Sequence, residues 1–481
     1  MKRICAFVLA VAMLLVAAGC NKTPASSGGT SGTSSSVSGG EGTTSSGPVE
    51  EEREKHDLEG KEFVIKTWTT ELFDYTEGES GAGDATLQTL DSVEDELNCE
   101  LTFDLVAPEA MIAEANAAIM AGEKYADVYV PILWNFAGFV TGGLAQDLTQ
   151  IPNLDLSKPY WDEQGNEIGT LKGKQYFAVG SMNGSMLGGT GVVFFNKRIL
   201  SETGLESPYD LVKNDQWTIQ KFRDMAIAAT KNLDGNGTMD ENDQWGIAAL
   251  DARHCLTSEI LAANDCTFIT KNDEGVLQYS MSLPKVTNAL KLAQDLLFKD
   301  NSVLQGTEEV ADVAFRSGKA LFYPFYLWKL NTTIVDMEDD FGVVPFPKGE
   351  GQTEYIGTTE WNRSVIAVPS NLDETDLADV GLLLDAWAYY SQFQIPAYHE
   401  DVADRYLRDD ESAEMLELIE NSARAEYCQF VASNANPALY EATYSVMYGV
   451  TADPSLNPMV EIDKVTDKGK TAIRDFMNSL P

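Results

Sequence analysis

The sequence predicts an α/β protein, because its folded part opens by alternating strand-like with helix-like stretches. "EFVIKTWTT", centred on Phe63, and then "ELTFDLV" and "ADVYVPILW" are rich in β-branched and aromatic residues. Between them lie two helical patterns. The first puts Leu87, Leu90, Val93 and Leu97 on one face, with Asp84 as its candidate cap; the second is "PEAMIAEANAAIMAGEKY". A β-α-β-α-β order needs crossover connections, so the sheet is expected to be parallel and doubly wound. A second α/β region begins at "GVVFFNKRIL", and past residue 375 the chain turns mostly helical. At 481 residues, two or three domains are expected.

Ahead of the first strand, "MKRICAFVLAVAMLLVAAGC" joins two basic residues to an apolar run that ends in small residues before Cys20. The run is short for a membrane span, and residues 1–19 read as a signal peptide. Ala17, Ala18, Gly19 and Cys20 look like a bacterial lipobox, which makes Cys20 the expected lipidation site. Residues 20–57 then form a Gly/Ser/Thr-rich linker closed by the acidic run "EEEREKHDLEGK". That composition cannot pack a core and suits a flexible, lipid-anchored tether.

Charge narrows the partners. Removal of residues 1–19 takes Lys2 and Arg3 with it, leaving 32 basic against 75 acidic side chains, a net −43. Nucleic acid and anionic headgroups would be repelled. Beyond Cys20 the remaining cysteines, Cys99, Cys255, Cys266 and Cys428, show no metal-ligand spacing. Cys255 and Cys266 could pair, or all four could be buried thiols.

Within the second region, "WTIQKFRDMAIAATK" places Phe222, Met225, Ala226 and Ala229 on one helix face behind Thr218 as N-cap. The loop that follows, "NLDGNGTMDEND", has the spacing of a calcium-binding EF-hand loop. Oxygen-bearing side chains stand at loop positions 1, 3, 5, 7, 9 and 12, namely Asn232, Asp234, Asn236, Thr238, Asp240 and Asp243, with Gly237 at position 6. The alternative is an Asp/Asn/Gly-rich turn that satisfies its own backbone. Because the strand "WGIAAL" follows the loop, a bound calcium would be a fixed structural ion and not a helix-opening sensor.

Nothing in the sequence announces catalysis. Three histidines are present, His56, His254 and His399, and no HExxH, GxSxG, P-loop or GxGxxG motif stands in its proper context. Carboxylates are abundant and a glycosidase needs two, so a glycan-active hydrolase or lyase stays open, as does a calcium-stabilised adhesion module. Acidic clusters such as "DDESAEMLELIE" read as solvated helix faces.

Several segments, taken in order, resemble the family 1 extracellular solute-binding proteins, the sugar-binding receptors of ABC importers. They are the lipobox start, "GKQYFAVGSMN", "VVFFNKRILSETGLESPYDLVKNDQWTIQKFRDMA", "DGNGTMDENDQWGI", "AFRSGKALFY", "FGVVPFPKG" and "SVIAVPSN". The resemblance implies a two-lobed, periplasmic-binding-protein-like fold of type II, with discontinuous lobes joined by hinge strands. Hinges are expected near residues 180–190 and 362–368, with a further crossing near 430. Lobe 1 would be residues 58–185 plus 366–428; lobe 2 would be 186–365 plus 429–481.

It also implies a monomeric, non-enzymatic receptor on the outer face of the cell membrane, which delivers a small solute to ABC permease subunits. Sugars present apolar C–H faces and hydroxyl edges, so aromatic platforms and polar side chains near strand ends and crossings are the ligand-binding candidates. These are Trp68, Glu71, Trp134, Asn183, Phe325, Tyr326, Trp328, Trp361 and Asn362. Trp217 and Trp245 are expected to pack lobe 2, and Asp127 to hold a strand end.

Overall fold

The computed structural model describes residues 48–183, 187–250, 255–360, 363–433 and 435–481. Two sheets organise them. The first contains β1 (Lys61–Thr67), β2 (Cys99–Leu105) and β3 (Val128–Val130) in the order β2-β1-β3, all parallel, with Ile65 facing Phe103 on one side and Val128 on the other. Phe63, Ile65 and Thr67 alternate inward from β1, as the pleat requires. Antiparallel bridges from Tyr129 to Ala367, Ile132 to Ser364 and Ala178 to Ile366 bring a later passage of chain alongside β3.

The second sheet contains β4 (Gly191–Asn196), β5 (Trp245–Leu250), β6 (Val303–Gly306), β7 (Ala320–Tyr326) and β8 (Phe341–Pro345) in the order β6-β5-β7-β4-β8. β4 runs antiparallel to both of its neighbours. Every residue of β4, β7 and β8 is buried, which is why "GVVFFN" and "ALFYPFY" read as unbroken apolar runs without alternation.

The helices follow the sequence patterns with two instructive departures. Helix Ile219–Ala229 is capped by Thr218, whose side chain accepts from the Lys221 amide, and buries Phe222, Met225, Ala226 and Ala229. Helix Gly81–Leu97 instead starts at Ser80, which caps the Gly83 amide, and Asp84 accepts from the Gly78 amide of the preceding turn. Its buried face carries Thr86 and Thr89, with Leu87 and Leu90 only half-buried. Both threonine hydroxyls donate to the carbonyl four residues back, so their burial leaves no donor unmet.

Two segments also depart from the expected organisation. The closing run of the linker is packed: Arg53 pairs with Glu96 at 2.9 Å and Asp385 at 3.0 Å, and its guanidinium lies 4.7 Å from the Tyr389 ring. One cation inside an acidic run finds carboxylates on two helices, and the strap is ordered before residue 58. The helix Asp410–Ser422, which takes in most of "DDESAEMLELIE", hides an apolar stripe of Met415, Leu416 and Ile419 that shares a core with β8 of the second sheet. The expected division gave residues 366–428 to lobe 1. Residues 428–480 share a core with Phe136 and Phe177 and with residues 261–290.

Among the described residues, two pairings join segments that run between the sheets. Thr190 bridges Thr359, and Gly357–Thr358 pairs in parallel with Ala423–Arg424. These pairings fall a few residues before the expected positions near 362–368 and 430.

Candidate functional site

The carboxyl ends of β1 and β7 face each other across a cavity of about 500 Å³. Four expected ligand residues meet there: Trp68, Glu71, Asn183 and Trp328. Trp68 directly follows β1, and its Nε1 donates to Ser364 Oγ at 2.9 Å, so the returning chain fixes the indole. Trp328 sits where β7 gives way to the short helix Lys329–Thr332; its amide donates to the Gly188 carbonyl at 2.9 Å, which ties it to the first crossing. The Phe325 ring meets Trp328 edge-on at 5.6 Å. Beneath both rings lies Lys329, 1% exposed, its Nζ 4.5 Å from the Phe325 centroid and 4.8 Å from that of Trp328. Lys329 pairs with Glu308, and with Asp312 at 2.9 Å.

The polar equipment of the cavity is partly uncommitted. Asn183 Oδ1 accepts from the Gly180 amide at 2.9 Å, while Asn183 Nδ2 and Trp328 Nε1 are buried with no protein partner. A buried donor left unmet costs about 1–3 kcal/mol, which an incoming acceptor recovers. Glu71 is accessible through the cavity but walled by protein, and this desolvation raises its carboxyl above the ordinary range.

Sequence reasoning missed Arg363, Ser364 and Tyr398, which also line this cavity. Arg363 donates to Thr359 Oγ1 at 3.3 Å, and burial lowers its pKa from the usual guanidinium value. A lone arginine next to an expected crossing was a readable signal; Tyr398, in a helical stretch, gave none.

Trp134 and Tyr326 line a second cavity, of about 200 Å³, which shares no lining residue with the first. Phe325 is a core residue, 3% exposed, stacked on Tyr323. Trp361 and Asn362 lie outside the described residues. Trp217 is buried and donates through Nε1 to the Pro345 carbonyl at 2.8 Å, and Trp245 donates to the Asp240 carbonyl at 2.8 Å. Asp127, fully buried, accepts from the Val64 amide at 2.9 Å and so holds β1 against the end of β3. The four described cysteines are free thiols, and Cys255 does not pair with Cys266.

The Asn232–Asp243 loop satisfies much of its own backbone. Asp243 accepts from the Leu233 amide at 2.8 Å and the Asp240 amide at 2.9 Å, which holds its carboxyl below the ordinary range. Asp234 and Asn236 each accept from the amide two residues on. Among the described residues no group of three or more His, Cys, Asp or Glu is placed to hold a metal. The atom that fits a cation is Asn232 Oδ1, buried and without a partner, in a loop whose remaining oxygens keep further lone pairs.

No curated protein matches the chain. Among solved structures, UspC of M. tuberculosis aligns with a TM-score of 0.60 at 14% identity, covering 85% of this chain and 100% of that one. The cyclic alpha-maltosyl-1,6-maltose binding protein from Arthrobacter globiformis aligns with a TM-score of 0.60 at 13% identity, covering 86% and 100%. The maltose/maltodextrin-binding domain MalE from Bdellovibrio bacteriovorus, bound to maltotriose, gives 0.55 at 14% identity, covering 86% and 100%. These likenesses establish a periplasmic-binding-protein-like fold. The model of the bacterial extracellular solute-binding proteins matches residues 90–389. That family consists of binding proteins and not enzymes, and this chain belongs to it.

Proposed function

We propose that the protein is a lipid-anchored receptor that captures an oligosaccharide or related solute in the Trp68/Trp328 cavity and delivers it to an ABC permease. The observation that carries this reading is the pairing of two indoles with two unmet donors, Trp328 Nε1 and Asn183 Nδ2, in one cavity between the sheets. Apolar faces with hydroxyl acceptors at their edges would satisfy both. The carbohydrates named for the structural neighbours support the same class.

Incubation with a glycan panel tests it: saturable tryptophan quenching with the sugar recovered unchanged is expected, and released products would overturn it. Trp68→Ala and Trp328→Ala should each weaken binding by about 1–3 kcal/mol with little change in fold. Unaltered affinity in both would place the site elsewhere.

The anchor and the ion complete the proposal. Acylation at Cys20 would hold the receptor on the outer face of the membrane. Cys20→Ser should then move the protein from the membrane fraction to the medium, and its retention would count against an anchor. Calcium in the Asn232–Asp243 loop would engage the orphaned Asn232 Oδ1 and relieve repulsion among Asp234, Asp240 and Asp243. Chelation should lower the melting temperature, and Asp234→Ala should lower it and abolish the response to chelator. Superimposable melting curves with and without chelator would reduce the loop to a turn.

A further inference from the structure

The second cavity has a lining unlike the first. Trp134, Tyr440 and Tyr444 form three panels, with ring centroids 5.8 Å apart for Trp134 and Tyr440, 5.9 Å for Trp134 and Tyr444, and 5.8 Å for Tyr440 and Tyr444. Phe268 meets Tyr444 edge-on at 5.7 Å, and Tyr448 stacks on Tyr444 at 6.1 Å. The panels are built by sequence spacing: Tyr440 lies in the short helix Pro437–Ala442, while Tyr444 and Tyr448 stand one turn apart on the next, Tyr444–Ala452. Glu426 lines the same cavity, and no lysine or arginine does so among the described residues. The nearby Arg424 is committed to Asp265 at 2.6 Å.

Glu426 caps the Gln429 amide, but among the described residues no cation pairs with this carboxyl and Arg424 acts on it only at longer range, an unbalanced arrangement beside aromatic rings. Electron-rich ring faces attract a cation, and so does a carboxylate. An apolar solute would use the rings and leave Glu426 stranded; a hydrated metal ion would use Glu426 and waste the rings. A small organic cation uses both. The overall charge of −41 adds a long-range field of the same sign.

We propose that this cavity is a binding site for a small organic ammonium ion, seated against the Trp134, Tyr440 and Tyr444 rings with its charge on Glu426. The inference goes beyond the capture of a sugar in the Trp68 cavity and does not depend on it.

Protonation gives the site a signature. Burial pushes the Glu426 carboxyl up to about 7; Arg424 pulls it down and Asp265 pushes it up. The other titratable groups in electrostatic reach are Glu259, Cys266, Cys428 and Tyr444, none of them cationic. The proton is what neutralises Glu426 in the empty cavity, and a bound ammonium replaces it. Affinity should therefore be low below about pH 6, rise through about pH 7, and level off above.

The test titrates the purified chain with choline and with 3,3-dimethylbutan-1-ol, its uncharged isostere, following heat and the part of the tryptophan fluorescence change that Trp134→Phe removes. Saturable choline binding is expected, with the isostere weaker by about tenfold or more. Glu426→Gln, checked for folding by its melting curve, should abolish that preference. Equal binding of the two probes, no binding of choline, or a preference that survives Glu426→Gln would each overturn the proposal. If Glu426→Gln does not fold, the comparison of the two probes in the native protein and the pH profile of choline binding decide alone.

Discussion

Stability of the native protein is expected to fall between about pH 5 and pH 8 more steeply than that of Glu259→Gln. Glu259 lies on the helix Cys255–Ala263, fully buried beneath the crossing strands. Its carboxylate oxygens accept from the Thr358 amide, at 3.1 Å for Oε2, and from the Thr358 hydroxyl. On the other side it fills the space left by Gly191, where a Cβ would stand 1.8 Å from Oε1. Burial pushes this carboxyl from 4.5 to about 8, against the opposing hydrogen bonds from Thr358.

A folded pKa above the unfolded one means that the folded state holds the proton longer. The contribution of Glu259 is thus complete below about pH 4.5 and is lost as pH rises through about 8. At about 1.4 kcal/mol per unit, the whole shift is worth about 5 kcal/mol. Glu426 acts in the same direction up to about 7 and is common to both proteins, so the difference between them reports Glu259 together with its coupling to Glu426. Denaturant midpoints measured across this range should diverge toward acid, with the native protein gaining more. Parallel curves would show that Glu259 does not titrate there.

The second large effect is expected at Lys329. Its ammonium serves Glu308 and Asp312 and lies against two rings, in a position with 1% exposure. Lys329→Met keeps the stem but leaves Asp312, also bound by the Tyr323 hydroxyl, without its counter-ion. Breaking a buried pair by removing one partner costs about 3–5 kcal/mol; Glu308, half exposed, recovers part of that in water, so a loss of about 3 kcal/mol is expected. Solute binding should weaken too, because Trp328 loses the charge beneath it. Restoring balance with Asp312→Asn should recover part of the stability, and a single-variant loss below about 1 kcal/mol would show the pair to be solvated.

What was legible in the sequence follows from which forces act locally. Strands β1 to β3 announce themselves through β-branched and aromatic clustering, and Thr218 marks its helix because capping is decided within three residues. Trp68, Glu71, Asn183 and Trp328, which line one cavity, were chosen as candidates by one rule, that sites gather at strand ends and crossings. That rule could not separate Trp134 and Tyr326 from the others, since which strand ends share a cavity depends on how the sheets face each other. The acidic helix Asp410–Ser422 keeps Asp410, Glu411, Glu414 and Glu417 on a solvated face, as expected, and its buried stripe was the part not read; the acidic linker end misled. In a chain this acidic, carboxylates cover both solvated faces and packed ones, and a three-residue stripe or a single arginine decides between them.

The strap at residues 49–57 has a mechanical consequence. Its hydrogen-bond and ion-pair partners include Glu96, Asn98, Lys158, Asp385, Tyr389 and Gln392, most of them on or at the ends of the two helices that pack around β1 and Trp387. Among the described residues no strand of the second sheet takes part. Were the chain held through its N-terminal segment, as the proposed anchor would do, tension would fall as shear on the Arg53 ion pairs and pass into the helix Glu374–Ser391. Among the described residues the second sheet and the helices on it lie outside that load path.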